Sequence, residues 1–195
     1  MILIFGKAFS QYPVLSITSL DDENQELAHT NNGNYAMDTA NERDQYVGTW
    51  KYDNGIGTIF EIKISKNDQA FHGVIYRGEI YSDYYFMDNI LIQYKLIINN
   101  TLIYDNMNST NLDTIRSSGH KYASMNYLHG SIVDETTKVG VRYDIFKTND
   151  TSPEKIIFKA QRGTMYKLYP RTGITAPDGT PTFFPMEEIE MVKVN

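Results

Sequence analysis

The sequence predicts an all-β domain, an antiparallel barrel or sandwich, and three observations carry that reading. From Tyr46 onward apolar and polar residues alternate with period two, and no window of useful length shows helical spacing. Turn residues punctuate these runs at short intervals, as antiparallel architectures require. Aromatic residues make up 13% of the chain, with 15 Tyr and 9 Phe, and tyrosine in such numbers suits half-buried strand faces.

Taken in order, residues 1–10 open with the apolar run Met1 to Phe5 and reach Ala8-Phe9-Ser10, a small-x-small pattern that reads as the remnant of a signal peptide, with Gln11 as the mature N-terminus. An ordinary first strand is the alternative. Residues 11–45 carry Asp21-Asp22-Glu23 and Asn31-Asn32-Gly33-Asn34 with few large apolar residues, the composition of a flexible acidic segment. Residues 46–195 form the domain.

Within the domain, Phe60, Ile62 and Ile64 alternate with Glu61, Lys63 and Ser65, and Val74, Tyr76 and Ile80 oppose Arg77 and Glu79. Ile90, Ile92, Tyr94, Leu96 and Ile98 make one apolar face, and Asn99-Asn100 then turns the chain into Leu102 to Tyr104, because asparagine tolerates the positive φ of a two-residue hairpin. Asn106 to His120 reads as a polar loop. Ala123, Met125 and Tyr127 alternate, as do Val139, Val141, Tyr143 and Ile145 after a turn at Asp134 to Lys138, and then Ile156, Phe158 and Ala160. Gly163 precedes a further run, Met165 to Tyr169. Four prolines between Pro170 and Pro185 make that stretch a long loop, and Ile189 to Val194 closes the chain with an apolar phase shift after Met191 that a bulge would accommodate. The count is about nine or ten strands.

Charge narrows the function. Residues 1–45 hold seven acids and two bases, and the remainder 17 acids and 16 bases, for a net charge of -6. Without a Lys/Arg cluster the phosphate-neutralising contribution to nucleic-acid affinity is missing, which excludes nucleic acid as a partner. Zero cysteines exclude disulfides, thiolate metal sites, a cysteine nucleophile and a cysteine-anchored lipoprotein. No run approaches the roughly 18 apolar residues of a membrane span.

The four histidines, at 29, 72, 120 and 129, show no metal-ligand spacing, although His120 and His129 can meet across a hairpin. Neither a Gly-x-Ser-x-Gly elbow nor a Ser-x-x-Lys motif occurs. Glu61 and Glu79 stand opposite apolar residues and are expected to face solvent. The sequence points to no cofactor and no metal. Tyr81-Ser82-Asp83-Tyr84-Tyr85-Phe86 packs four aromatics into six residues at a strand connection, either to grip a sugar face, an apolar ligand or a protein partner, or to fold back over the core.

Tyr46-Val47-Gly48-Thr49-Trp50 resembles the aromatic-x-Gly-x-Trp signature that opens the first strand of lipocalins and fatty-acid-binding proteins, and the layout from Tyr46 to Val194 is similar to small exported bacterial lipocalin-like proteins of unknown function. The resemblance implies an up-and-down β-barrel in which Trp50, two residues after Gly48, plugs the closed end and Lys193 from the last strand covers its ring. Uneven strand lengths leave room for a flattened or partly open barrel. It implies a non-catalytic, exported domain, periplasmic, secreted or at the cell surface, that holds a small apolar or amphipathic molecule. Tyr76, Tyr81, Tyr84, Tyr85, Phe86, Tyr94 and Tyr143 are the candidate ligand-binding residues. The alternative is an interaction module with a filled core that binds a protein or glycan through the aromatic loop at 81–86. An enzyme built inside the barrel is the third reading.

Overall fold

The computed structural model describes residues 12–76, 79–80, 83–111, 115, 117–148, 152–169, 172–175, 184–185 and 187–194. Its strands are β1 (Ser16–Ser19), β2 (Asn34–Met37), β3 (Gly48–Asp53), β4 (Ile59–His72), β5 (Ile75–Tyr76), β6 (Glu79–Ile80), β7 (Tyr85–Ile98), β8 (Thr101–Asp105), β9 (Ser117–His120), β10 (Tyr127–Asp134), β11 (Val139–Lys147), β12 (Lys155–Tyr169), β13 (Thr172–Thr175) and β14 (Glu188–Val194). Short 3-10 turns at Glu23–Ala28 and Asp44–Tyr46 are the helical elements among the described residues.

Eight antiparallel strands close into a ring in the order β3, β4, β7, β9, β10, β11, β12, β14 and back to β3, each beside the next in sequence within the ring. The barrel is therefore closed and up-and-down, with eight strands in the ring where the patterning suggested nine or ten. Strands β1, β2, β8 and β13 attach outside it. The inward residues are those that the alternation picked out: Phe60, Ile62, Ile64, Ile90, Ile92, Tyr94, Leu96, Val141, Tyr143, Ile145, Ile156 and Phe158 are all buried in one cluster with Trp50. Each such aliphatic or aromatic side chain contributes about 1.5–3 kcal/mol when taken out of water. The Asn99-Asn100 turn forms as expected, with φ of 50° and 59° joining the Ile98–Thr101 pair.

Closure depends on a strand without a hydrophobic signature. β9 is Ser-Ser-Gly-His, read from sequence as loop, and it joins β7 through the Ile90–Gly119 bridge. The Ser117 hydroxyl completes the join, accepting the Ile92 N–H at 2.6 Å and donating to the Ile92 carbonyl at 2.9 Å. Gly119 and Gly130 flank the Tyr143 hydroxyl so closely that a Cβ at either would stand 2.3 or 2.4 Å from it. Bare backbone is what lets the ring shut over that tyrosine.

Several further expectations are corrected. Val74, expected on a barrel face with Tyr76, is 54% exposed, and β5 pairs only with β6 among the described residues, so β5 is not a strand of the ring. Ala123 and Met125 lie in a turn before β10, with the Met125 N–H bonded to the Tyr122 carbonyl. The Pro170–Pro185 stretch includes β13, which folds back on β12. No register shift interrupts β14: Lys193 lies opposite Trp50, so the inward phase of Ile189 and Met191 runs on into a lysine.

The largest difference lies before the ring. Residues 12–45, read as a flexible acidic segment, carry β1 and β2, which run parallel to each other and to β7. Their acids are internal partners. Asp88 of β7 accepts hydrogen bonds from the Tyr35 hydroxyl (2.7 Å), the Asp38 N–H (3.0 Å) and the Gln69 N–H (2.9 Å) at the β4 bulge. Arg43 reaches Asp38 at 2.6 Å, Asp88 at 3.2 Å, Asp68 at 2.9 Å and the Asn89 carbonyl at 2.8 Å. Leu20, Ala36 and Met87 form a small second core beneath. Residues 1–10, the expected signal-peptide remnant, lie outside the described residues.

Candidate binding face

The signature residues assemble at one end of the barrel. Trp50 is fully buried, and its Nε1–H donates to the Tyr46 carbonyl at 2.8 Å. Lys193 Nζ stands 5.4 Å from the indole centroid, and Lys147, which the sequence reading missed, stands closer at 4.9 Å. Glu154 bonds both ammonium groups, which hold its carboxyl down at about 2. Gly48, at φ +136°, passes under the Lys193 stem, where a Cβ would meet Cε at 3.0 Å. This constellation fixes the first strand of the ring against the last.

Two of the candidate ligand residues are packed core. Tyr94 lies 4.9 Å from the ring of Phe184, 4.7 Å from Tyr104 and 6.2 Å from Phe60, and its hydroxyl accepts the Glu135 N–H at 2.9 Å. Tyr143 stacks on Phe158 at 5.7 Å. Burial pushes both phenols well above their ordinary range. Phe184, which arrives from the proline-rich stretch, is 3% exposed and sits at the end of the barrel opposite Trp50, 5.5 Å from Phe60.

The aromatic stretch divides. Tyr84 and Phe86 turn inward and gather with Phe71 and Tyr12, at centroid distances of 5.3 to 6.1 Å, and the Tyr84 hydroxyl donates to the Pro13 carbonyl at 2.8 Å. They pin the N-terminal segment. Tyr81 lies outside the described residues, and Tyr76 is described only as part of β5. Tyr85 lies on the outer face, stacked parallel on His72 at 4.8 Å.

That outer face collects all four histidines. Register places Asp144 of β11 beside His129 of β10, and His129 beside His120 of β9. The Ile90–Gly119 bridge sets Asn89 of β7 level with His120, and Asn89 bonds His72 of β4 at 2.8 Å. The result is a transverse row across five strands, Asp144–His129–His120–Asn89–His72. Tyr122 lies 4.4 Å from His120 and stacks on His29, which hangs from the N-terminal segment through a 3.0 Å contact with the Ser19 carbonyl. Burial brings the His120 imidazole down to about 4, and neighbouring His129, His72 and His29 add to the effect. Burial also lowers His72. Among the described residues Asn89 Oδ1 and His29 Nδ1 are buried without a hydrogen-bond partner, each at a cost of about 1–3 kcal/mol that a fold tolerates most readily where the group serves a function.

Beside this row, where the 3-10 turn at Glu23–Ala28 meets residues 121–123, a polar cleft of about 410 Å³ is lined by Asp21, Asp22, Glu23, Asn24, Glu42, Lys121 and Ala123. The Lys121–Glu42 ion pair at 3.3 Å spans it. One sign of the row was legible in the sequence, that His120 and His129 can meet across a hairpin, as they do; spacing along the chain showed none of the rest or of the cleft, which exist only once β9 and the N-terminal segment are in place.

A family model described as a family of unknown function, DUF6705, matches residues 1–168. No curated protein and no solved structure matches the chain.

Proposed function

The chain belongs to the DUF6705 family of unknown function, and on that footing we propose that it is a non-catalytic, lipocalin-like binding module whose ligand sits on the outside of the barrel. The observation that carries this reading is the packing inside the barrel among the described residues: Phe184, Tyr94, Phe60 and Phe158 touch ring to ring where a carrier would keep space. The Trp50 plug and its lysine cover support the lipocalin resemblance, while the packing argues against the interior as the site.

The ligand class that suits the outer cleft is a glycan. Carboxylates and an amide at 21–24 and 42 offer acceptors to sugar hydroxyls, and the volume falls within the ~300–1,000 Å³ of small-ligand sites. Export fits such a partner, and sequencing the N-terminus of the mature protein from its own host tests it: an N-terminus at Gln11 supports export, an intact Met1 opposes it.

The direct test is glycan-array screening followed by calorimetry on the full chain. Binding weakened several-fold by Glu23→Gln or Asn24→Ala, and unchanged by Tyr94→Phe, supports the reading. Stoichiometric uptake of a fatty acid or apolar dye, abolished by enlarging Ala160, would restore the interior-carrier alternative.

A further inference from the structure

We propose that His120 and His129 form a site on the outer barrel face for one divalent transition-metal ion of the imidazole-binding class, Zn²⁺, Ni²⁺ or Cu²⁺, with Asp144 as the carboxylate that orients His129. The two imidazoles are direct cross-strand partners on adjacent strands, so β9 and β10 present them side by side, with ring centroids 6.4 Å apart. Two rings sharing an ion at a metal–nitrogen distance of ~2.0–2.1 Å lie roughly 5–6 Å apart, which small side-chain rotations supply. Their backbones need not move.

The carboxylate makes this pair more than two adjacent histidines. Asp144 Oδ1 lies 2.7 Å from His129 Nδ1, and its side chain is only 9% exposed, so it is a built-in acceptor for the Nδ1–H. That hydrogen bond selects the tautomer whose lone pair is on Nε2, the arrangement by which second-shell carboxylates prepare ligating histidines. The negative charge of Asp144 also offsets part of the dication. His129 keeps 32% of its side chain exposed, which gives an ion a route from solvent. Among the described residues no group of three His, Asp or Glu side chains converges on one point, so the ion has two protein ligands and open positions. His72 is engaged by Asn89 and takes no part.

The test is calorimetric titration of the untagged, chelator-treated full chain with ZnCl₂ and NiCl₂, with no glycan present, so that the outcome is independent of the glycan reading. We expect one equivalent bound, affinity lowered at least 10-fold by His120→Asn or His129→Asn, lowered about 10–100-fold by Asp144→Asn, and unchanged by His72→Gln. Absence of binding up to millimolar metal, or affinity unchanged from the unmodified chain in either histidine variant, would overturn the site. Should the variants misfold, Cu²⁺ electron paramagnetic resonance on the unmodified chain decides: coupling to two imidazole nitrogens supports the proposal, and coupling to one or none rejects it.

Discussion

Inside the ring, Phe60, Tyr94, Phe158 and Phe184 hold one another through ring contacts, whereas residues 34–43 reach the same strand β7 through Asp88, Asp38 and Arg43. Both regions are buried, yet their attachments differ in kind. Apolar packing is non-directional and tolerates small shifts; a buried guanidinium between carboxylates works only with every partner present. Removing one member should therefore damage the two regions differently.

The largest expected effect is in the ring. Phe60→Ala removes a fully buried side chain that touches three other aromatic rings, and its expected cost is about 3–5 kcal/mol of global stability. Urea unfolding followed by Trp50 fluorescence measures it, and a loss below 1 kcal/mol would mean that the interior is not packed as described.

Arg43→Ala should cost a comparable amount, about 3–5 kcal/mol, because it leaves Asp38 and Asp88 buried and unpaired. Its effect should be local. Amide exchange is expected to accelerate across β1 and β2 while β10, β11 and β12 keep their protection. Uniform acceleration through the ring would show that the segment and barrel are one cooperative unit.

That contrast also explains what was legible. Period-two alternation exposed β4, β7, β11 and β14 because a half-buried strand must place its apolar residues on one side, and the Asn99-Asn100 pair exposed a hairpin because few other residues accept φ of 50° and 59° in succession. β9 stayed hidden because glycine and serine do its work, and no hydrophobicity pattern marks a strand whose role is to leave room for the Tyr143 hydroxyl. Residues 12–45 were misread because a carboxylate bound to Arg43 and a carboxylate in water look identical in composition. Of the candidate binding face only the His120–His129 pairing across a hairpin was legible; His29 and His72 join it through the segment and β7, which no spacing along the chain shows. Trp50 and Lys193 were readable from the resemblance, but Lys147 and Glu154 were not.

The histidine row joins the two regions and responds to acid. His120 has an ordinary pKa near 6.5 when unfolded and about 4 when folded, so between those values the unfolded chain binds more protons and stability falls as pH drops. The buried His72 contributes with the same sign. The expected loss for the metal-free protein is about 2–3 kcal/mol between pH 6.5 and 4, read as a falling Tm in chelator. His120→Gln should flatten most of that slope. A Tm that is level or rising over this window would show that His120 is solvated. Glu154, with its carboxyl held at about 2, loses its contribution as pH falls through the ordinary glutamate value of 4.5, so it adds to the decline only at the acid end of the window, and His120→Gln separates the two.

The smallest effect belongs to the Trp50 end. Lys193→Met keeps the aliphatic stem over Gly48 and removes the ammonium, and a cation over an indole contributes about 0.5–2 kcal/mol. We expect about 1 kcal/mol or less, because Lys147 stays over the same ring at 4.9 Å and remains bonded to Glu154. Lys147→Met should be similarly mild. The double variant strips the indole of both cations and Glu154 of both partners, so its cost should exceed the sum of the single losses by a measurable coupling energy in a double-mutant cycle. Strict additivity would mean that each lysine acts alone, and that the tie between first and last strand lies in the backbone pairs of Thr49, Trp50 and Lys51 with β14.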